Sequence, residues 1–280
     1  MTGFAHLHVA SGYSARYGAS HPEQLARRAA ERGMGTLALT DRDTVTGAVR
    51  FARACAKEGV RPVFGVDLAV AALAPPPPDR RRRTPVRGGA HVAEPPLRFT
   101  LLAQDRAGWA RLCRITSAAY VGTASGAAPV VVPWEALREY GGPGLTVLLG
   151  PLSEPVRALA VGREDVAVRL LAPWREVFGS GVRLEVIMHK RFSSDADGNG
   201  INVGVGSGKG GGGKGGGGVA AGTRPGTGPG SLRLAARTLA LADRTRTPAV
   251  LTNAVRYADP DQHRLADVLD AARLLRPVDR

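Results

Sequence analysis

The sequence predicts an α/β fold in which mainly parallel strands close into a barrel, and three observations lead to this prediction. Short apolar strand-like runs alternate with helical segments along most of the chain. Seven or eight such strands are present, a number that favours a barrel over an open sheet. The chain has 280 residues, of which 44% are hydrophobic, so it can bury the core that a barrel needs. In such barrels, the chemistry lies at the carboxyl ends of the strands.

The first part of the chain has β-α-β-α-β order, which predicts parallel strands joined by right-handed crossovers. Strands are predicted at residues 4–9, 36–40 and 60–70, and helices at residues 21–32 and 46–58. Ser20 is expected to cap the first helix, and Gly33 to end it. The inward face of the second helix is expected to carry Val49, Phe51, Ala52 and Ala56.

Beyond residue 70 the alternation continues, but two segments interrupt it. Residues 74–97 are rich in proline and arginine and are predicted to form a surface loop, while the glycine-rich residues 193–231 are predicted to be a flexible insertion. Further strands are predicted at 99–103, 130–132, 145–149, 182–188 and 249–253, and further helices at 106–120, 134–140, 155–178, 232–245 and 261–275. The three tryptophans lie in helical contexts and are expected to pack in the core or against another domain: Trp109, Trp134 and Trp174.

Charge is the strongest compositional signal. The formal net charge is +14, which favours polyanionic partners such as DNA, although a solvated basic surface would have the same composition. The run Arg80, Arg81, Arg82 and Arg83 is a candidate contact with DNA phosphates or with an acidic partner, and a solvated loop explains it equally well. The two cysteines exclude a disulfide framework. With no signal peptide and no apolar run of membrane-spanning length, we expect a cytoplasmic protein without a membrane partner.

A His-x-His pair near the start of the chain is the first indication of a metal site. On a strand, His6 and His8 would point to the same face. Two neutral imidazoles on one face can bind one metal ion. Taken alone, such a pair is more often incidental than a pair of ligands.

Polar residues at several strand ends form an ordered series that strengthens this indication. The series consists of His6-Leu7-His8, Gly18-Ala19-Ser20, Leu39-Thr40-Asp41-Arg42-Asp43, Phe64-Gly65-Val66-Asp67, Leu101-Leu102-Ala103-Gln104, Leu184-Glu185-Val186-Ile187-Met188-His189 and Leu251-Thr252-Asn253-Ala254-Val255-Arg256-Tyr257. It resembles the polymerase and histidinol phosphatase (PHP) domain, and more closely the N-terminal PHP domain of bacterial C-family DNA polymerases of the error-prone branch. The resemblance implies a distorted seven-stranded β/α barrel. Intact members hold a trinuclear metal cluster and hydrolyse phosphoesters, which implies multi-metal chemistry.

The resemblance also implies which metal ligands are kept and which are replaced. The kept positions are His6, His8, Asp67 and His189; the replaced ones are Tyr17, Arg42, Ala254 and Arg256. Arginine stays protonated and offers no lone pair to a metal. Two guanidinium groups would oppose divalent cations. They could instead pair with Asp41, Asp43 or Asp67 and hold the barrel mouth together without metal.

The sequence therefore predicts a degenerate, mainly structural PHP domain of an error-prone DNA polymerase III alpha-type subunit, with the polymerase domains downstream of residue 280. Expected partners are DNA, the polymerase core of the same chain, and replication or mutasome proteins. No cofactor is expected in this segment; zinc or manganese would occupy a residual site, and magnesium would serve the parent polymerase. Any residual activity would be that of a phosphoesterase or a 3′–5′ exonuclease. Two alternatives stay open: a free-standing metal-dependent phosphoesterase acting on histidinol phosphate or a nucleotide, and a non-catalytic DNA-binding module.

Overall fold

The computed structural model describes residues 4–73, 97–121, 130–188, 230–275 and 278. Six strands and eight α-helices are interspersed through these ranges, which is the pattern of an α/β fold. The strands are β1 (Thr36–Arg42), β2 (Arg61–Ala69), β3 (Arg98–Ala103), β4 (Leu145–Leu149), β5 (Val182–Ile187) and β6 (Ala249–Thr252). The helices are α1 (Pro22–Glu31), α2 (Ala48–Glu58), α3 (Arg106–Val121), α4 (Trp134–Tyr140), α5 (Glu154–Ala160), α6 (Glu164–Phe178), α7 (Leu232–Thr245) and α8 (His263–Leu274). None of these helices is long and apolar enough to cross a membrane.

The sheet follows chain order from β1 to β6 and curls into a half-barrel. Strands β1 and β2 are parallel, as are β4, β5 and β6. Strand β3 runs antiparallel to both of its neighbours, which is the main distortion of the barrel. The sequence predicts a proline- and arginine-rich loop before β3, whereas it predicts a helix before β2, β4 and β6. Parallel neighbours need a long crossover, which is usually a helix, so an antiparallel β3 is consistent with that prediction.

The N-terminal segment fills the gap between the two edges of the sheet. His6 forms an isolated parallel bridge with Leu37 of β1, and Val9 forms one with Val255, which follows β6. Backbone hydrogen bonds support both sides: Ala38 N donates to His6 O at 2.9 Å, and Ala10 N donates to Val255 O at 2.8 Å. The barrel is therefore closed by isolated bridges where the sequence predicts a regular strand at residues 4–9.

Three apolar clusters hold the layers together. The largest lies between the sheet and helices α3 to α7 and contains Trp174, which is 1% exposed. A second joins α1 and α2 to β1 around Phe51. The third, formed by Ala38, Leu102 and Leu148, fills the inside of the barrel. Trp134 and Trp174 lie in the core as expected, whereas Trp109 is only partly buried.

The predicted elements correspond closely to the observed ones. The boundaries predicted for α4, β4 and α7 are those of the structure. The helix predicted at residues 155–178 is interrupted between α5 and α6. The strand predicted at residues 130–132 is reduced to one bridge between Val132 and Val70. Most of the predicted loop at 74–97 and of the predicted insertion at 193–231 lies outside the described residues. At the end of the first, Leu97 is buried. At the end of the second, the hydroxyl of Ser231 accepts a hydrogen bond from Leu234 N at the start of α7.

Two local predictions are wrong. Ser20 does not cap α1: His21 is the capping residue, with its backbone N donating to Gln24 Oε1 at 2.9 Å, while the Ser20 hydroxyl donates to Gln262 at 2.6 Å. The inward face of α2 carries Phe51, Ala54 and Cys55, not Val49 and Ala56. The helix begins at Ala48, two residues later than predicted, so the position of its first turn could not be fixed from the apolar pattern.

Candidate functional site

Polar side chains meet at the barrel rim where the carboxyl ends of the parallel strands lie. Arg42 is the last residue of β1, Asp67 lies near the end of β2, and Thr252 ends β6. Glu185 enters from β5, and His8 comes from the segment that closes the barrel. We call this group the rim cluster. It lies where β/α barrels carry their functional residues.

His8 lies between two carboxylates of the rim cluster. Its Nδ1 donates to Glu185 Oε1 at 2.8 Å, and its Nε2 lies 3.9 Å from Asp67 Oδ2. Thr252 Oγ1 donates to the same Glu185 oxygen at 2.5 Å. Burial alone would lower the pKa of His8, but Glu185 and Asp67 together raise it above its ordinary value. The two carboxylates therefore let the ring keep its second proton to a higher pH than an isolated imidazole would.

Asp67 is 3% exposed and is surrounded by positive charge. Arg98 Nε lies 3.1 Å from Oδ1, and Arg42 Nε lies 3.4 Å from Oδ2. Arg98 also reaches Asp43 Oδ1 with its Nη2 at 2.9 Å, so it bridges two carboxylates. Burial alone would raise the pKa of Asp67, but the charges of Arg98, Arg42 and His8 hold it below its ordinary value. Asp67 is therefore an ionised carboxylate with a basic partner at each oxygen.

Three arginines lie over the ring of Tyr17, and two of them are close to it. The Arg42 Cζ atom is 3.4 Å from the centre of the Tyr17 ring, and the Arg256 Cζ atom is 4.1 Å from it. Arg256 is fixed by Asp270 of α8, with Nη1 2.8 Å from Oδ2 and Nη2 2.8 Å from Oδ1. Arg256 Nε and Nη2 also donate to the backbone oxygen of Tyr17. At three of the positions where the resemblance implies replaced ligands, Tyr17 thus contacts the other two, Arg42 and Arg256.

Asp41 fixes the loop that carries Tyr17. One carboxylate oxygen accepts from Ser11 N at 2.6 Å, and the hydroxyls of Ser11 and Ser14 donate to the same group. Ser14 Oγ in turn accepts from Arg42 N at 2.9 Å. Burial raises the pKa of Asp41, although the serine donors act against that shift. The side chain is 1% exposed, so this network is structural and closed to solvent.

The structure brings some of the proposed site residues together and leaves others apart. Tyr17, Arg42, Asp67 and His8 are connected through direct contacts. No described contact joins His6 to them: its ring meets Phe4 edge-on, and its Nδ1 is buried without a hydrogen-bond partner in the described part of the chain. Burial, and then the charge of Arg32, lower the pKa of His6.

The remaining proposed positions add little at the rim. Ala254 has a left-handed backbone, with φ at 45°, and carries no polar side chain. His189 and Arg80, Arg81, Arg82 and Arg83 lie outside the described residues.

Three functional neighbours were missed in the sequence. Arg98 is 8% exposed and Glu185 is 2% exposed, and both are charged residues within apolar strand sequences, a pattern that indicates a buried partner. Asp270 pairs with Arg256 across 14 residues, and it lies on α8 three residues before Arg273, which also binds it. No local pattern marks Asp270 out, because its partner comes from the loop after β6.

The capacity of the rim cluster for metal is limited by its composition. Among the described residues, no three His, Cys, Asp or Glu side chains are grouped so that they could hold a metal ion. His8, Asp67 and Glu185 offer donor atoms, but the described contacts engage them with each other, with Thr252 and with two arginines. The carboxylates of the cluster are neutralised by neighbouring arginines. A metal ion would need free lone pairs at these positions, and arginine offers none.

Comparison with known proteins shows the family to which this chain belongs. The sequence model of the PHP domain matches residues 6–189. The error-prone DNA polymerase of Anaeromyxobacter sp. (strain K) is 34% identical over 200 residues, which cover 69% of this chain. The DNA polymerase III subunit alpha of Caulobacter vibrioides is 34% identical over 188 residues, which cover 67% of this chain. The error-prone DNA polymerase of Mycobacterium tuberculosis (strain H37Rv) is 37% identical over 188 residues, which cover 66% of this chain. The chain spans only 15%, 15% and 16% of the length of these three relatives.

Proposed function

Because this chain belongs to the PHP domain family, we propose that it is the N-terminal domain of an error-prone type of DNA polymerase and that it serves that polymerase as a structural unit without hydrolysing phosphoesters. Identities of 34–37% to error-prone polymerases and to a polymerase III alpha subunit support the polymerase context. The net charge of +14 supports DNA as a partner of the whole protein.

One observation carries the structural part of this proposal: each oxygen of the Asp67 carboxylate faces a guanidinium group. Arg98 Nε is 3.1 Å from one oxygen, and Arg42 Nε is 3.4 Å from the other. Two fixed cations beside a buried carboxylate neutralise the charge that would attract a divalent ion. Binding a metal at Asp67 would require both arginines to leave, and Arg98 would also have to release Asp43.

The second arginine of the Tyr17 stack supports the same conclusion. Arg256 is held by two hydrogen bonds to Asp270 and by two to the backbone oxygen of Tyr17. Such paired, planar contacts are among the strongest that arginine makes. Ion pairs therefore hold the rim cluster together, and stacking on Tyr17 joins its Arg42 to Arg256. These contacts replace the cross-links that shared metal ions would provide.

Metal analysis of the purified chain tests the proposal. The chain is equilibrated with zinc or manganese and passed through gel filtration, and its metal content is measured by mass spectrometry. We expect well below one ion per chain and no hydrolysis of a phosphomonoester or of a 3′-labelled oligonucleotide. Two or three tightly held ions per chain that disappear in the His8→Ala variant would overturn the structural assignment and favour a metal-dependent phosphoesterase. Ions that remain bound in His8→Ala are held elsewhere in the chain and do not contradict a metal-free rim cluster.

The polymerase context has a separate test. Reading the gene beyond codon 280 should reveal a continuous frame several times longer than this chain, because the matched polymerases are that much longer. A stop codon directly after residue 280 would instead favour a free-standing protein.

A further inference from the structure

A second concave surface lies away from the rim cluster, in a cleft of about 690 Å³ between α2 and α3. Its floor includes Phe64 of β2 and Leu102 of β3. Arg61, at the start of β2, borders it, whereas Asp67 lies six residues further along the same strand. Phe64, the cleft residue of β2 nearest to Asp67 in the sequence, lies three residues before it, about 10 Å along an extended strand. None of the residues that define the rim cluster lines the cleft, so the two are separate sites. The volume falls within the range of small-ligand pockets, roughly 300–1,000 Å³.

The walls of the cleft are mostly apolar and include an accessible aromatic face. Trp109 of α3 lines it and is only partly buried, in contrast to Trp134 and Trp174. Its ring lies against Phe64 with 5.6 Å between centroids, which fixes its orientation. On the opposite wall, Val49 of α2 is 65% exposed, an unusual fraction for a valine beside a cleft. The cleft therefore offers a partly exposed indole and apolar side chains to an apolar ligand.

The entrance of the cleft carries two positively charged side chains. Arg61 and Arg106 line it, both are exposed, and neither has an ion-pair partner within the described ranges. Asp105 lies at the same entrance, but its Oδ1 accepts from Gly108 N at 2.7 Å and caps α3, where the helix N-terminus offsets its charge. Two unpaired guanidinium groups beside an apolar slot favour a ligand that joins a planar ring to an anionic group.

Hydrogen-bonding groups lie at the same end of the cleft. Gln104 and Thr146 both line it, and Gln104 Nε2 donates to Thr146 Oγ1 at 2.8 Å. This bond orients the amide and leaves its oxygen and one N–H available to a ligand edge. The cleft thus combines a stacking face, amide groups and two cations.

We propose that this cleft binds a single unpaired nucleotide unit, with the base against Trp109, the base edge near Gln104 and the phosphate at Arg61 and Arg106. Base stacking on an aromatic ring and phosphate binding by arginine are the two contacts that such a unit offers. The unit can come from a free nucleotide or from single-stranded DNA, and the two sources present the same chemistry. This site is independent of the structural role proposed for the rim cluster.

Tryptophan fluorescence of the full 280-residue chain tests the proposal. Because Trp134 and Trp174 are buried, a ligand-induced change reports on Trp109. At about 0.15 M salt, which weakens non-specific binding of polyanions, we expect dAMP to quench the emission and deoxyadenosine to bind about tenfold more weakly, since it lacks the phosphate that two arginines would bind. A short oligodeoxyadenylate that binds more tightly than dAMP indicates single-stranded DNA as the source; equal affinity per site indicates a free nucleotide.

Paired variants locate the binding. The double variant Arg61→Ala/Arg106→Ala should weaken dAMP binding about tenfold or more. The control Arg264→Ala removes an exposed arginine from α8, outside the cleft, and should leave binding unchanged. Since these arginines are exposed, none of the variants should unfold the chain. Absence of binding of both dAMP and the oligonucleotide at millimolar concentration would overturn the proposal, and so would an equal loss in the control.

Discussion

The guanidinium carbon of Arg42 lies 3.4 Å from the centre of the Tyr17 ring, and this stack joins the end of β1 to the loop before α1. Arg256 covers the same ring at 4.1 Å. A cation above an aromatic face is attracted by the ring quadrupole, and the attraction grows when water is excluded. Tyr17 therefore stabilises two guanidinium groups directly, and Arg273 lies over the same ring at 5.6 Å.

Removing the ring should destabilise the domain. We expect Tyr17→Ala to lower the free energy of unfolding by about 2 kcal/mol, because two partly desolvated arginines lose their stacking partner. Tyr17→Phe keeps the ring and should cost less than about 0.5 kcal/mol, since the described contacts of Tyr17 involve its ring and backbone and not its hydroxyl. Urea unfolding measures both values, and equal losses would contradict a stabilising role for the ring.

Arg98 should be the most sensitive ion-pair partner of Asp67. Arg98→Met removes the guanidinium group from Asp67 Oδ1 and from Asp43 Oδ1 and leaves only Arg42 and His8 beside Asp67, so we expect a loss of about 3–5 kcal/mol in the free energy of unfolding. Arg169→Met makes the same chemical change at an exposed pair with Asp165 and should cost under about 1 kcal/mol. A comparable small loss at both positions would show that Asp67 is reached by water.

Gly150 tests the packing around Glu185. A Cβ atom at position 150 would lie 2.1 Å from Glu185 Oε2, so Gly150→Ala must displace the carboxylate that binds His8 and Thr252. We expect a loss of about 1–3 kcal/mol in thermal or urea unfolding. Gly35→Ala is the matched control, because a Cβ there meets nothing within 4 Å. No difference between the two variants would mean that Glu185 moves without cost.

The Asp270 pair should make stability depend on pH in the acidic range. Burial alone would raise the pKa of Asp270, but its hydrogen bonds with Arg256 and Arg273 lower it below 3.8. A carboxyl group whose pKa is lower in the folded state contributes stability that is complete above the unfolded pKa and is lost as pH falls through the folded pKa. The difference in unfolding free energy between the wild type and Asp270→Asn should thus be constant above about pH 5 and shrink below pH 3.8. A constant difference down to pH 2 would contradict this assignment.

Much of the fold follows from patterns that are local in the sequence. Strand β4 and helix α7 have the predicted boundaries because their apolar residues recur with one clear period, and Gly59 ends α2 in the left-handed conformation that glycine favours. The reversal of β3 could not be predicted in this way, since strand direction depends on the connection before it and the apolar pattern of a strand is the same in both directions.

The candidate site was harder to predict for a physical reason. His6 and His8 were expected on one face, but the segment pairs through isolated bridges and single backbone hydrogen bonds, so the regular alternation of a strand is not imposed on it. Asp67 was one of three carboxylates predicted as possible partners of the arginines, and Arg42 Nε lies 3.4 Å from its Oδ2. Arg98 and Glu185 were missed because their partners are 31 and 177 residues away and no short motif joins them.

The bridge between Val9 and Val255 affects the order in which the chain can fold during its synthesis. On the ribosome, the first residues emerge long before the segment after β6 that completes their pairing. Until that segment appears, β1 and the N-terminal residues present one unpaired edge, and contacts of such long sequence separation form slowly. The last step of folding during synthesis should therefore be the docking of the segment around residue 255 onto the oldest part of the nascent chain.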